Sequence, residues 1–203
     1  DLDLLATGAD ACHAGLTGAP VRARAAADCL RALGEAVAPP AIGIATPPPV
    51  DVEAVIGHQI TWRLTTDKGM IEIALLPDIA PWNVATIVAL TQKGFYDGLA
   101  FHRVVPDFVV QGGDPTQSGW GGPGFTTPAE PTSLADGASF VAGGVGIADA
   151  GRDSGGSQYF VMHAPAPHLD GRYTQIGRVI SGPKSADALV IGDRVVHATV
   201  EIR

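Results

Sequence analysis

From Gln59 onward the apolar residues adopt a period of two, and that switch constrains the fold more than any other feature of the chain. Ile60, Trp62 and Leu64 alternate with Thr61, Arg63 and Thr65; Asp67-Lys68-Gly69 supplies a turn; Ile71, Ile73 and Leu75 resume the alternation. Each run therefore turns one face to a core and one to water, which predicts a β-hairpin. Pro81 opens a helix predicted to run to about Lys93, with Val84, Ile87, Val88 and Thr91 on one side and Gly94 as its stop. Strands dominate beyond it. Phe101 to Gly113 reads as a strand, a proline corner and a second short strand. Further strands are predicted at Val145 to Ala148, Ser157 to His163, Tyr173 to Ile180 and Val195 to Ile202, with a short helix at about Lys184 to Ile191. Many short strands and two isolated helices predict a mainly β fold: a closed antiparallel barrel capped by the helices.

Residues 1–38 form a separate helical block. Val21, Ala25, Cys29, Leu30, Leu33 and Val37 recur at helical spacing between Pro20 and the region of Gly34, and a shorter helix ends at Gly15. The block resembles, weakly, the terminal helix pair of a HEAT-like repeat array; such a pair does not bury its face alone, so upstream repeats are expected. Residues 39–58 read as a Pro-rich linker, and 59–203 as the main domain. Cys12 and Cys29 are the only cysteines. Two readings stand for them: a disulfide between neighbouring segments, or two small buried apolar residues. An oxidised pair favours an extracytoplasmic compartment. A chain opening on Asp1 reads as a processed form or a fragment, and without a targeting signal the location stays open between bacterial periplasm and cytoplasm.

A formal charge of −8 and a pI near 5.0, with no Lys/Arg run, argue against nucleic acid as a partner. No apolar run approaches the ~18 residues of a membrane span. His102, His163 and His168 lack close ligand spacing, so neither metal nor cofactor is expected. The Gly-rich stretch from Gly119 to Gly124 lacks the Lys-Ser/Thr of a phosphate loop and reads as a flexible rim. Asp153-Ser154-Gly155-Gly156 is similar to the nucleophile loop of chymotrypsin-like proteases, but no histidine or aspartate upstream has a matching context.

The chemistry concentrates in FHRVVPDFVVQGG, residues 101–113. Arg103 sits among Phe101, Val104, Val105 and Phe108, at the edge of an apolar surface where a charge is costly. Its five donors in a rigid fork suit a carbonyl, a carboxylate or a nitrogen lone pair. The bland reading is a stem covering apolar surface with its head in water.

That stretch with its following Asp114, then GIADAGRDSGGSQYFV from Gly146 and HLDGRYTQIGRV from His168, resembles the three signature blocks of the cyclophilins, in order, over about residues 59–203. The resemblance implies an eight-stranded barrel with two capping helices, and peptidyl-prolyl cis-trans isomerase activity in protein folding. It also implies site roles. Arg103 would donate to the twisted imide, and Gln111 would hold substrate backbone or orient Arg103. Phe108, Val109, Phe160 and Leu169 would line the proline pocket, backbone groups of Ala148 and Asp149 would pair with the peptide, and Gly119 and Gln158 would flank the neighbouring subsite. By period two, Gln158, Phe160 and Met162 share one strand face, and Tyr159, Val161 and His163 the interior face. His168 and Tyr173 would also bind substrate, but His168 stands where many cyclophilins carry tryptophan, so only weak binding of a cyclosporin-type cyclic peptide is expected, while Tyr173, where many carry histidine, keeps an aromatic wall with a hydroxyl handle. The partners implied are proline-containing peptides or unfolded clients. The competing reading is a non-catalytic module that grips proline peptides while the helical block scaffolds an assembly.

Overall fold

The computed structural model describes residues 2–16, 20–37, 50–131 and 139–203. The chain forms two compact units, Asp1–Thr46 and Pro47–Arg203. In the first, α1 (Leu2–Gly15) and α2 (Pro20–Ala32) are joined by a disulfide between Cys12 and Cys29. Of the two readings of these cysteines, the oxidised one holds. Ala23, Ala26, Ala27 and Leu30 are buried. α2 stops short of the predicted Val37 because Gly34 N–H bonds Arg31 C=O at 3.0 Å and Glu35 N–H bonds Leu30 C=O at 2.9 Å. This double bond pattern satisfies the last carbonyls and turns the chain out of the helix. Most of the linker, residues 38–49, lies outside the described residues.

The second unit contains β1 (Ile60–Thr66), β2 (Gly69–Leu75), α3 (Pro81–Gln92), β3 (Arg103–Val105), β4 (Val109–Gly112), β5 (Gly144–Ile147), β6 (Tyr159–Met162), β7 (Gln175–Ser181), α4 (Pro183–Asp187) and β8 (Val195–Ile202). All eight strands join one antiparallel sheet in the order β3-β4-β6-β5-β7-β2-β1-β8. The β1–β2 hairpin closes with Thr66 opposite Gly69, leaving Asp67 and Lys68 as a two-residue turn. Its alternation has the burial expected: Ile60, Trp62, Leu64, Ile71, Ile73 and Leu75 are all in the core. Trp62 is its centre, meeting Tyr96 and Tyr159 edge-on at 5.2 and 4.8 Å.

α3 is buried along Val84, Ile87, Val88 and Thr91. Its first turn is closed from outside: the Glu130 carboxylate accepts the Trp82 and Asn83 N–H groups at 3.1 and 3.0 Å, which places a negative charge at the positive end of the helix. At its other end Gly94 N–H and Phe95 N–H bond Thr91 and Leu90 C=O.

Two expectations need correction. The sheet curls into a half-barrel rather than a fully closed one. Pro106 and the turn at Asp107 end β3 after three residues, which pair with β4 and not with β8, so these two strands are the edges of the sheet. The edges meet instead just ahead of both strands, through an Ala100–Arg194 bridge and bonds from Gly98 N–H to Val195 C=O at 2.7 Å and Phe101 N–H to Asp193 C=O at 2.8 Å. The second helix, α4, spans five residues and ends at Asp187. Val190 and Ile191, which suggested a longer one, are 54% and 66% exposed.

Candidate active site

The strand β6 has two apolar faces. Tyr159 and Val161 point into the main core, while Phe160 and Met162 join a second cluster with Val109, Phe140, Ala166 and Leu169. Alternation along the strand accounts for this division. Opposite Phe160 in the ladder is Gly146. A Cβ there would lie 2.5 Å from Phe160 Cζ and 2.7 Å from Phe140 Cε1, so only glycine lets both rings settle on the sheet. Phe140 packs behind Phe160 at 5.4 Å, and Tyr173 meets Phe160 edge-on at 5.9 Å.

Above these rings lies a hollow of about 260 Å³. Phe108, Val109, Phe160, Leu169 and Tyr173 form its apolar walls; Arg103, Gln111, Ala148 and Asp149 form its polar margin. His168 is at the edge rather than in the lining, stacked on Phe108 with ring centroids 5.9 Å apart. Gly119 and Gln158 lie off the hollow, bonded to each other.

Arg103 stands at the edge of the apolar hollow as expected, its guanidinium carbon 5.9 Å from the Phe108 ring centroid and its head group exposed. Its charge thus keeps its water until something covers the hollow. Its direction is set by a chain of hydrogen bonds. Arg103 lies opposite Gln111 in the β3–β4 ladder and donates from Nη1 to Gln111 Oε1 at 3.2 Å. Gln111 Nε2 donates to Gln158 Oε1 at 2.9 Å. Gln158 Nε2 donates to the carbonyls of Gly119 and Gly121 at 3.0 and 2.8 Å. The same two glycines donate their N–H groups to Asp114 Oδ2, at 2.6 and 3.2 Å.

Asp114 anchors this chain. It is 0% exposed, and its Oδ1 also accepts the Thr116 N–H and hydroxyl at 2.7 and 2.8 Å. Burial alone would raise its pKa, but the donors outweigh burial and hold the carboxyl below its ordinary value. A Cβ on Gly121 would come within 1.9 Å of Asp114 Oδ1, so the loop passes over the carboxylate only as glycine. The stretch read as a flexible rim is pinned at Gly119 and Gly121 through both N–H and C=O. Asp114, Gly121 and Phe140 were not singled out from sequence. An Asp followed by Thr116, Ser118 and glycines is an Asx-turn pattern that signals the first of these.

His102 sits close to this anchor. Burial lowers its pKa, with the charge of Asp114 acting in the opposite direction. Asp149 is shifted up by burial, against one stabilising bond from Gly151 N–H at 3.0 Å. Ser154 is occupied within its own loop, accepting Ala150 N–H at 2.9 Å and donating to Gly151 C=O; no histidine bonds it, so the protease-like loop is a structural turn. Among the described residues no group of three His, Cys, Asp or Glu side chains is arranged to hold a metal, and no helix is long and apolar enough to cross a membrane.

Comparison with known proteins follows the same outline. Residues 61–202 match the model of a family described as cyclophilin type peptidyl-prolyl cis-trans isomerase/CLD. Peptidyl-prolyl cis-trans isomerase B of Bacillus subtilis is 45% identical over 138 residues, covering 68% of this chain and 95% of that one. The peptidyl-prolyl cis-trans isomerase of Synechococcus elongatus is 43% identical over 139 residues, covering 68% and 93%. A cyclophilin type peptidyl-prolyl cis-trans isomerase of Cryptosporidium parvum, solved also in the presence of the dipeptide Ala-Pro, shares the fold with TM-score 0.64 at 22% identity, over 71% of this chain and 98% of its own.

Proposed function

The chain belongs to the cyclophilin-type peptidyl-prolyl cis-trans isomerases, and from that membership and the site geometry we infer that it catalyses rotation about Xaa-Pro bonds in proline-containing peptides. The single observation that carries the reading for these residues is Arg103 at the margin of an aromatic hollow, held by Gln111.

Rotation about a peptide C–N bond costs ~18–20 kcal/mol because resonance is lost in the twisted state. The end states of an Xaa-Pro bond differ by only ~0.5–1 kcal/mol. No nucleophile is needed; the catalyst has to bind the twisted imide better than either planar form. As the imide twists, its nitrogen becomes pyramidal and basic, and the Arg103 guanidinium donates to that lone pair. The interaction exists in the transition state and not before it. Phe108, Val109, Phe160 and Leu169 receive the proline ring and remove the water that stabilises the charge-separated planar amide. Gln111 fixes the fork, and the backbone of Ala148 and Asp149 pairs with the extended client as an added strand would.

His168, in place of the tryptophan of many relatives, stacks on Phe108 and offers less surface and no indole N–H, so cyclosporin-type peptides bind weakly. An oxidising compartment agrees with the Cys12–Cys29 disulfide.

The test is the cis-to-trans relaxation of a Xaa-Pro peptide. Wild-type protein accelerates it; Arg103→Ala lowers kcat/KM about a hundredfold, the scale of losing one donor aimed at transition-state charge. An unaccelerated relaxation with folded wild-type protein would leave a proline-binding module instead.

A further inference from the structure

A second cavity of about 520 Å³ adjoins the hollow and shares Asp149 and Tyr173 with it. Its remaining rim carries two arginines, Arg152 and Arg172. Arg172 is exposed, and among the described residues its guanidinium has no carboxylate partner. Arg152 has a side chain 81% exposed and, among the described residues, only a long contact, 3.8 Å, with Asp153; Asp153 in turn accepts Ala129 N–H at 2.8 Å. The one carboxylate in the lining, Asp149, already accepts a hydrogen bond from its own loop at Gly151. The chain is acidic as a whole, at −8, so two loosely engaged cations beside the site stand out against its general field.

We propose that this cavity is a subsite for an anionic side chain of the client, a glutamate or aspartate near the isomerised bond, with Arg172 as its principal contact. The cavity begins at the wall of the proline hollow, so a side chain about two or three residues away, at ~3.3–3.6 Å of extended chain per residue, reaches it. Arg172 meets the carboxylate with its planar fork, and Arg152 contributes a longer-range attraction. Tyr173 divides the two spaces, one side facing the proline ring and the other the entering residue. The subsite selects among clients and takes no part in the twisting step. The inference rests on the isomerase reading above.

The experiment measures kcat/KM for a set of Xaa-Pro peptides in which one position, two or three residues to either side of the proline, is Glu, Gln or Lys. At low ionic strength one position shows Glu preferred over Gln by about two- to fivefold, the range of an exposed ion pair. The preference shrinks in about 0.5 M salt, where exposed charges are screened. Arg172→Gln abolishes it while leaving the rate on an uncharged Ala-Pro reference peptide, and the melting temperature, unchanged. Arg152→Gln removes a smaller part. Equal rates for Glu and Gln at every position would overturn the proposal, as would a preference that survives Arg172→Gln. A preference for Lys would also overturn it, and would assign the selectivity to Asp149. Failure of the wild-type protein on the reference peptide is a separate result, which rejects the isomerase reading itself.

Discussion

Asp114 never touches the hollow, yet its replacement by alanine is predicted to slow catalysis. The substitution removes the acceptor of four hydrogen bonds: those from Thr116 N–H and hydroxyl and from the N–H groups of Gly119 and Gly121. Bonds to a charged acceptor contribute ~1.5–3 kcal/mol each. Thr116 is exposed and its donors turn to water, so the net loss falls mainly on the two half-buried glycine N–H groups, about 3–6 kcal/mol. That is enough to open the loop, and its lower end is below the ~5–15 kcal/mol that holds a typical domain together. When the loop leaves, Gln158 loses both carbonyl acceptors, Gln111 loses its fixed neighbour, and Arg103 swings freely. A tenfold fall in kcat/KM, about 1.4 kcal/mol of transition-state stabilisation, is expected. The assay is peptide relaxation on Asp114→Ala, Gln158→Leu and the double variant, with circular dichroism to establish folding. If Asp114 acts through Gln158, its substitution costs less than about twofold in the Gln158→Leu background, because residues in one network are not additive. Fully additive losses, or a folded Asp114→Ala protein with wild-type kcat/KM, would refute the relay.

Three further outcomes follow from the same structure. Gly146→Ala drives a methyl group into Phe140 and Phe160 and should destabilise the barrel by about 1–3 kcal/mol, the usual cost of overpacking, read as a lower urea midpoint together with weaker peptide binding. The Asp114 carboxyl has its pKa lowered in the fold, so its contribution is complete above the ordinary carboxylate value and disappears as pH falls through the folded value. Emission from Trp120, which is 41% exposed in the same loop, should accordingly stay constant from neutral pH to about pH 4 and change only below it; a change centred near pH 6 would assign the response to a histidine. Reduction of Cys12–Cys29, which closes a separation of 17 residues, should cost the helix pair about 3 kcal/mol, seen as lost helical ellipticity with isomerase activity retained.

Much of the architecture was legible because periodicity is a local property. Alternation around Trp62 located the hairpin, and the proline and glycine flanking α3 located its ends to within a residue. Parity along β6 separated Tyr159 from Phe160 before any coordinates, and three motif blocks pointed to the residues around the hollow. What escaped was decided by distance. Two thiols in neighbouring helices carry no sign of whether they meet. The apolar pair Val190 and Ile191 imitates a helix face although it lies on the surface. Asp114 acquires its importance only when residues five and seven positions later fold back over it, a closure that no periodicity reports. For Arg103 the sequence left two readings open, a charge at an apolar edge or a head group in water; both hold, because Phe101 and Val104 pack into the main core while Phe108 flanks the guanidinium and leaves it wet.

The partition of β6 between two clusters has an implication for how such an enzyme diversifies. Exchanging Phe160 for another side chain disturbs Phe140 and Tyr173 around it and the strand whose other face, Tyr159 and Val161, builds the core, so the floor of the proline pocket resists change for reasons unrelated to any ligand. Loops such as those carrying Arg152, Arg172 and His168 bear no comparable burden. Client preference in this lineage should therefore drift at the margins of the pocket, while the chamber that grips the proline is inherited nearly intact.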